Sequence, residues 1–100
     1  MTITLQAGEV GIILEFAITD GTVPLDLSGL GPDGVKLFVA GQGSRSCTVV
    51  GVPTDGRADY LTVAGDWPVG RYDWQLVISY LTGPIVKTDR GLLVVEPAVS

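Results

Sequence analysis

Histidine is absent from this sequence and cysteine occurs once, at Cys47. Without an imidazole, a serine or cysteine nucleophile lacks its usual base. The Cys/His clusters that hold zinc cannot form either. A lone cysteine makes no disulfide within the chain, so the fold must stand unstapled, unlike a secreted disulfide scaffold. Cys47 opens an apolar stretch and reads as a small core residue rather than a nucleophile. Charge is also scarce, at 17% of residues against about 25% in ordinary soluble domains. The six cations, Lys36, Arg45, Arg57, Arg71, Lys87 and Arg90, form no cluster, and the net charge is −5. The concentrated basic surface that nucleic-acid binding needs is missing. No apolar run approaches the ~18 residues of a membrane-spanning helix, so no membrane partner is expected. Residues 1–8 carry neither a basic segment nor a long apolar run, which excludes a signal peptide there. The chain is therefore expected to be made and kept in a cytoplasm.

What is present is alternation. From Gly70 to Tyr80, the residues Tyr72, Trp74, Leu76, Ile78 and Tyr80 share one face of a strand. Arg71, Asp73, Gln75, Val77 and Ser79 share the other. Strand side chains repeat every two residues, so this is a long strand with one face on a core. A large aromatic mid-strand fills the gap between two packed sheets. Thr2–Gln6 alternates as a first strand. Val10, Ile12, Leu14, Phe16 and Ile18 mark the inward face of a second, which ends in the turn pair Asp20-Gly21. Pro24 forbids a central strand, so 24–29 is a bend in which Leu25 and Leu27 plug the core. Residues 31–34 read as a loop, and Val35, Leu37 and Val39 as the inward face of a third strand. Residues 41–46 read as a mobile connection. Short strands follow at 47–52 and 58–63 around a Pro53–Gly56 turn. Residues 64–68 link to the long strand. Strands at 85–88 and 92–96 close the chain, and a tail follows Pro97. About seven strands in 100 residues, with a turn every eight to twelve, predict a single all-β domain, a two-sheet antiparallel sandwich.

Candidate sites are few. Asp20, Asp26, Asp33, Asp55, Asp59, Asp66, Asp73 and Asp89 fall mostly at turns, where carboxylates satisfy backbone groups. A calcium site at Asp20 and Asp26 has no supporting ligand spacing. A domain this small has little room for the facing carboxylates of a glycosidase. Gly8 and Gly11 lead into a strand, not a helix N-terminus, so they cradle no phosphate. No metal, cofactor or catalytic set is expected. Trp67 either folds over the end of the sandwich or stands exposed as an anchor for a partner. Ile13, Phe38 and Val77 sit on the faces opposite their strands' core residues. Together with the mean hydropathy of +0.42, they fit apolar surface covered by a partner or by further copies of the chain; composition alone fits equally well an ordinary β-domain with short, uncharged loops.

Several segments in order carry a resemblance. They are Ile3-Thr4-Leu5-Gln6-Ala7-Gly8, residues 14–21, Pro24-Leu25-Asp26-Leu27-Ser28-Gly29, Gly56-Arg57-Ala58-Asp59-Tyr60 and Pro68-Val69-Gly70-Arg71-Tyr72-Asp73-Trp74-Gln75. Across nearly its whole length the chain resembles the immunoglobulin-like domain at the N-terminus of bacteriophage baseplate upper proteins. It departs from them at residues 30–34, where such domains run straight into the next strand. It also ends where the longer proteins continue into fibre or receptor-binding parts. The resemblance implies a non-enzymatic virion structural protein that docks on tail, baseplate or capsid, alone or in symmetric copies. A carbohydrate-binding or host-adhesion module is the alternative, with Trp67 and Tyr80 as its aromatic platform.

Overall fold

The computed structural model describes residues 2–63 and 65–97. Ala64 of the expected linker, and the expected tail after Pro97, lie outside them. The described chain is all-β. Its strands are β1 (Thr2–Gln6), β2 (Ile13–Ala17), β3 (Thr19–Asp20), β4 (Val23–Pro24), β5 (Leu30–Val39), β6 (Gly43–Ser46), β7 (Thr48–Val49), β8 (Arg57–Leu61), β9 (Gly70–Tyr80), β10 (Ile85–Lys87) and β11 (Gly91–Glu96). A single 3-10 turn spans Pro53–Asp55. Strands outnumber the seven expected because turns cut off short pieces, such as the two-residue pair β3–β4. No helix among the described residues is long and apolar enough to cross a membrane.

The strands form two main layers. One sheet runs β1-β11-β9-β5-β6, with β10 also on β9. The other runs β2-β8-β7. All ladders are antiparallel except β1 with β11, where Thr2 stands beside Leu92 and Gln6 beside Glu96. β9 is central, with β5 on one side and β10 and β11 on the other. Its alternation holds: Trp74, Leu76 and Ile78 are buried, while Arg71 and Asp73 are exposed. Leu14, Phe16, Ala58 and Tyr60 from the smaller sheet join them in one sandwich-like core. The Phe16 and Trp74 rings meet at 5.3 Å, tilted, across the layers. Leu27 closes the core at one end, with Leu25 packed against it.

Gly91 is the position on which Trp74 depends. A Cβ there would overlap the indole atoms Cε2 and Nε1. The glycine is thus a packing requirement, because an indole against bare backbone leaves no room for a methyl group.

Three local expectations are corrected. Val10 and Ile12 are exposed rather than inward. Gly11 takes a left-handed φ of 73° and turns the chain just ahead of β2. Residues 31–34 are not a free loop but a bulged part of β5. Asp33 adopts a φ of 53° there, and the register to β9 shifts between Leu30 and Val35. Extra residues in a bulge bend a strand without ending it. The segment read as mobile instead contains β6, a hairpin partner of β5 that pairs Val39 with Gly43 and Lys36 with Ser46.

Candidate functional site

The smaller sheet's outer face follows from the period of its strands. Leu14 and Phe16 point inward, which leaves Ile13, Glu15 and Ala17 outside. On β8, Ala58 and Tyr60 point inward, which leaves Arg57, Asp59 and Leu61 facing out. The register then sets Ile13 opposite Leu61, Glu15 opposite Asp59 and Ala17 opposite Arg57. Ile13 and Leu61 are 55% and 56% exposed. The result is an apolar pair beside two facing carboxylates. The one ion pair among the described residues is elsewhere, between Arg45 and Asp66. Like charges directly opposite one another in a sheet are destabilising.

Phe38 and Val77 lie on the outer face of the larger sheet. Phe38 stands opposite Gln75, and Val77 opposite Lys36, which makes the two diagonal neighbours. Phe38 is 43% exposed, while Val77 is half-buried. Ile13 is therefore separated from Phe38 and Val77 by the thickness of the core. The three residues do not form one surface.

Trp67 is not an exposed anchor. It is 7% exposed, packed 5.8 Å from the Tyr60 ring, with the Arg45 guanidinium 5.7 Å from its own ring centre. Asp66 locks this corner. Its carboxylate accepts hydrogen bonds from Arg45 Nε at 3.0 Å, Tyr60 Oη at 2.7 Å and the Val63 N–H at 2.8 Å. Burial, with the Asp66 hydrogen bond and charge next, pushes the Tyr60 phenol up to about 12. A loop tryptophan thus serves the core because a charged clamp folds its loop inward. Tyr80 ends β9, far along the strand from Trp67. It is half-buried, its hydroxyl donates to the Asp26 carbonyl at 2.7 Å, and burial raises its pKa. The aromatic platform that a sugar site would have used is not formed by these two residues.

Other chemistry-bearing groups have structural occupations. Cys47 is half-buried, and burial first of all pushes its thiol up to about 11. It is protonated at neutral pH, and a thiol attacks poorly without ionisation. The exposed Asp26 accepts from both the hydroxyl and the N–H of Ser28, which lower its pKa. Asp33 accepts from Ser46 Oγ at 3.0 Å. Among the described residues, no group of three or more metal-ligating side chains comes together.

An open groove of about 350 Å³ lies between β2 and the β10–β11 side of the larger sheet. Phe16, Ile18, Trp74, Leu76 and Val86 supply its apolar lining. Neither this groove nor the role of Leu61 is anticipated by the sequence reading. The alternation Arg57, Asp59, Leu61 holds the signal for Leu61, but only the register shows it opposite Ile13. No protein-family model matches the chain, and no curated protein is significantly similar to it.

Proposed function

We propose that this chain is an immunoglobulin-like docking module, a non-enzymatic structural component of a bacteriophage virion seated on tail, baseplate or capsid. The sheet orders support the immunoglobulin-like part. The order β2-β8-β7 matches the arrangement B-E-D, and β11-β9-β5-β6 matches G-F-C with one added strand. Tyr72, at the start of β9, donates its hydroxyl to the Pro68 carbonyl four residues upstream at 2.8 Å, as in a tyrosine corner. Where antibody domains bridge the sheets with a disulfide, Phe16 and Trp74 are in ring contact.

The observation that carries the docking reading is apolar surface outside a finished core. Ile13, Leu61 and Phe38 remain exposed, although seventeen apolar residues already form one buried cluster. The phage assignment rests on the resemblance of the ordered segments given above, and low charge and the single unreactive thiol accord with it. The test is mass spectrometry of density-purified particles from the phage that encodes the chain. Stoichiometric presence is the expected result. Absence from washed particles, with the protein abundant in the lysate, would refute a structural role.

A further inference from the structure

The outward side of β2 has no strand beside it among the described residues. β2 pairs only with β8. The phase of that ladder is fixed at both ends, because the Ile18 N–H donates to the Gly56 carbonyl and the Thr62 N–H to the Ile12 carbonyl. Even-numbered residues of β2 therefore bond to β8. The N–H and C=O groups of Ile13, Glu15 and Ala17 point the other way. An open row of this kind is a template for a further strand.

Two further features converge on the same edge. The groove lined by Phe16, Ile18, Trp74, Leu76 and Val86, with Lys87, Asp89 and Arg90 also in its wall, lies inside the Phe16–Ala17 end of this edge. On the outside lies Glu15, facing Asp59, with Arg57 further along the same face but in an ion pair with neither. An added strand would alternate across this boundary, one set of side chains entering the groove and the next standing beside Glu15. We infer that β2 accepts an extended segment of another protein as a fourth strand, with apolar residues turned into the groove and lysine or arginine turned outward. A cation beside Glu15 would relieve the opposed carboxylates, and its aliphatic stem would cover Ile13 and Leu61. A second copy of this chain fits less well, since antiparallel pairing centred on β2 sets Glu15 against its own counterpart. This inference rests on the docking reading and adds the place and the chemistry of the partner.

The probe is a synthetic peptide, Val-Lys-Val-Lys-Val-Lys-Val, with the glutamate version Val-Glu-Val-Glu-Val-Glu-Val as its control. Amide hydrogen exchange of the intact chain is followed by NMR. The lysine peptide should slow exchange at Ile13, Glu15 and Ala17, and the glutamate peptide should bind about fivefold more weakly. Glu15→Lys should reverse that preference. Ala17→Pro removes an edge donor while sparing the ladder to β8, so it should weaken binding with the fold's exchange pattern kept. Unchanged exchange at these three amides with about 1 mM peptide overturns the inference, as does protection confined to β10. Protection that grows with protein concentration alone overturns it in favour of self-pairing. None of these outcomes bears on whether the chain is found in particles, so the two readings fail separately.

Discussion

The two sheets solve the same burial problem with different completeness. In the larger sheet β9 is flanked on both sides, and its outer face is mostly polar, with Arg71, Asp73, Gln75 and Ser79. Neighbouring groups there are satisfied locally: Gln75 donates to the Thr88 carbonyl at 2.6 Å, and the Thr88 hydroxyl receives the Leu76 N–H at 3.0 Å. In the smaller sheet β2 is flanked on one side only, carries exposed Ile13, and opposes Glu15 to Asp59. The larger sheet has one-sided strands of its own at β1 and β6 and exposes Phe38, but its central strand is satisfied on both sides. The smaller one keeps features that cost stability in isolation, which is where a protein's surface points to something besides folding.

That contrast can be broken most forcefully at Trp74. Trp74→Ala should destabilise the domain by about 3–5 kcal/mol, since it empties the contact between the layers; an unchanged denaturation midpoint would remove Trp74 from the core. Gly91→Ala tests the same indole from the backbone side. It should cost about 1–3 kcal/mol through overpacking, and a neutral result would mean that the indole has room to shift. Tyr60 probes the clamp that seats Trp67. Its folded pKa, about 12, lies above the unfolded value of about 10. Its contribution is thus complete below pH ~10 and is lost as the pH rises towards ~12. Phenolate absorbance should show this late titration, and Asp66→Asn should bring it down by removing a neighbouring negative charge. The smallest effect is expected on the smaller sheet's face. Glu15→Gln should change stability by no more than about 0.5 kcal/mol, in the stabilising direction, by relieving Asp59. Clear destabilisation, read by urea midpoint, would show that Glu15 has a structural partner.

Strands with one buried and one polar face are legible in the sequence alone. β1 begins and ends where its alternation does, and β9 carries its inward and outward faces in its own residue order. Strands defined by their partners are not legible in that way. β6 has the composition of a loop, Gly43-Ser44-Arg45-Ser46, and becomes a strand because β5 offers a ladder and Asp66 holds Arg45. Tertiary context overrides propensity in such cases. Trp67 is ambiguous in sequence for a related reason: the residues that bury it come from positions 45, 60 and 66. The candidate surface is half legible. Ile13 can be assigned outward from β2 alone, but its pairing with Leu61 and the facing carboxylates depend on which residues of two strands stand opposite.

The parallel pairing of β1 with β11 has a consequence for how the chain folds as it is made. β1 precedes β11 by most of the domain, so β1 leaves the ribosome well before its partner is made. Ile3 and Leu5, which end buried, wait in water until then. Closure of a loop that long is slow and entropically costly. Docking of β1 therefore follows the pairing of β5, β6 and β9, and a chain stalled before Gly91 keeps β1 loose, with its apolar residues open to quality-control machinery.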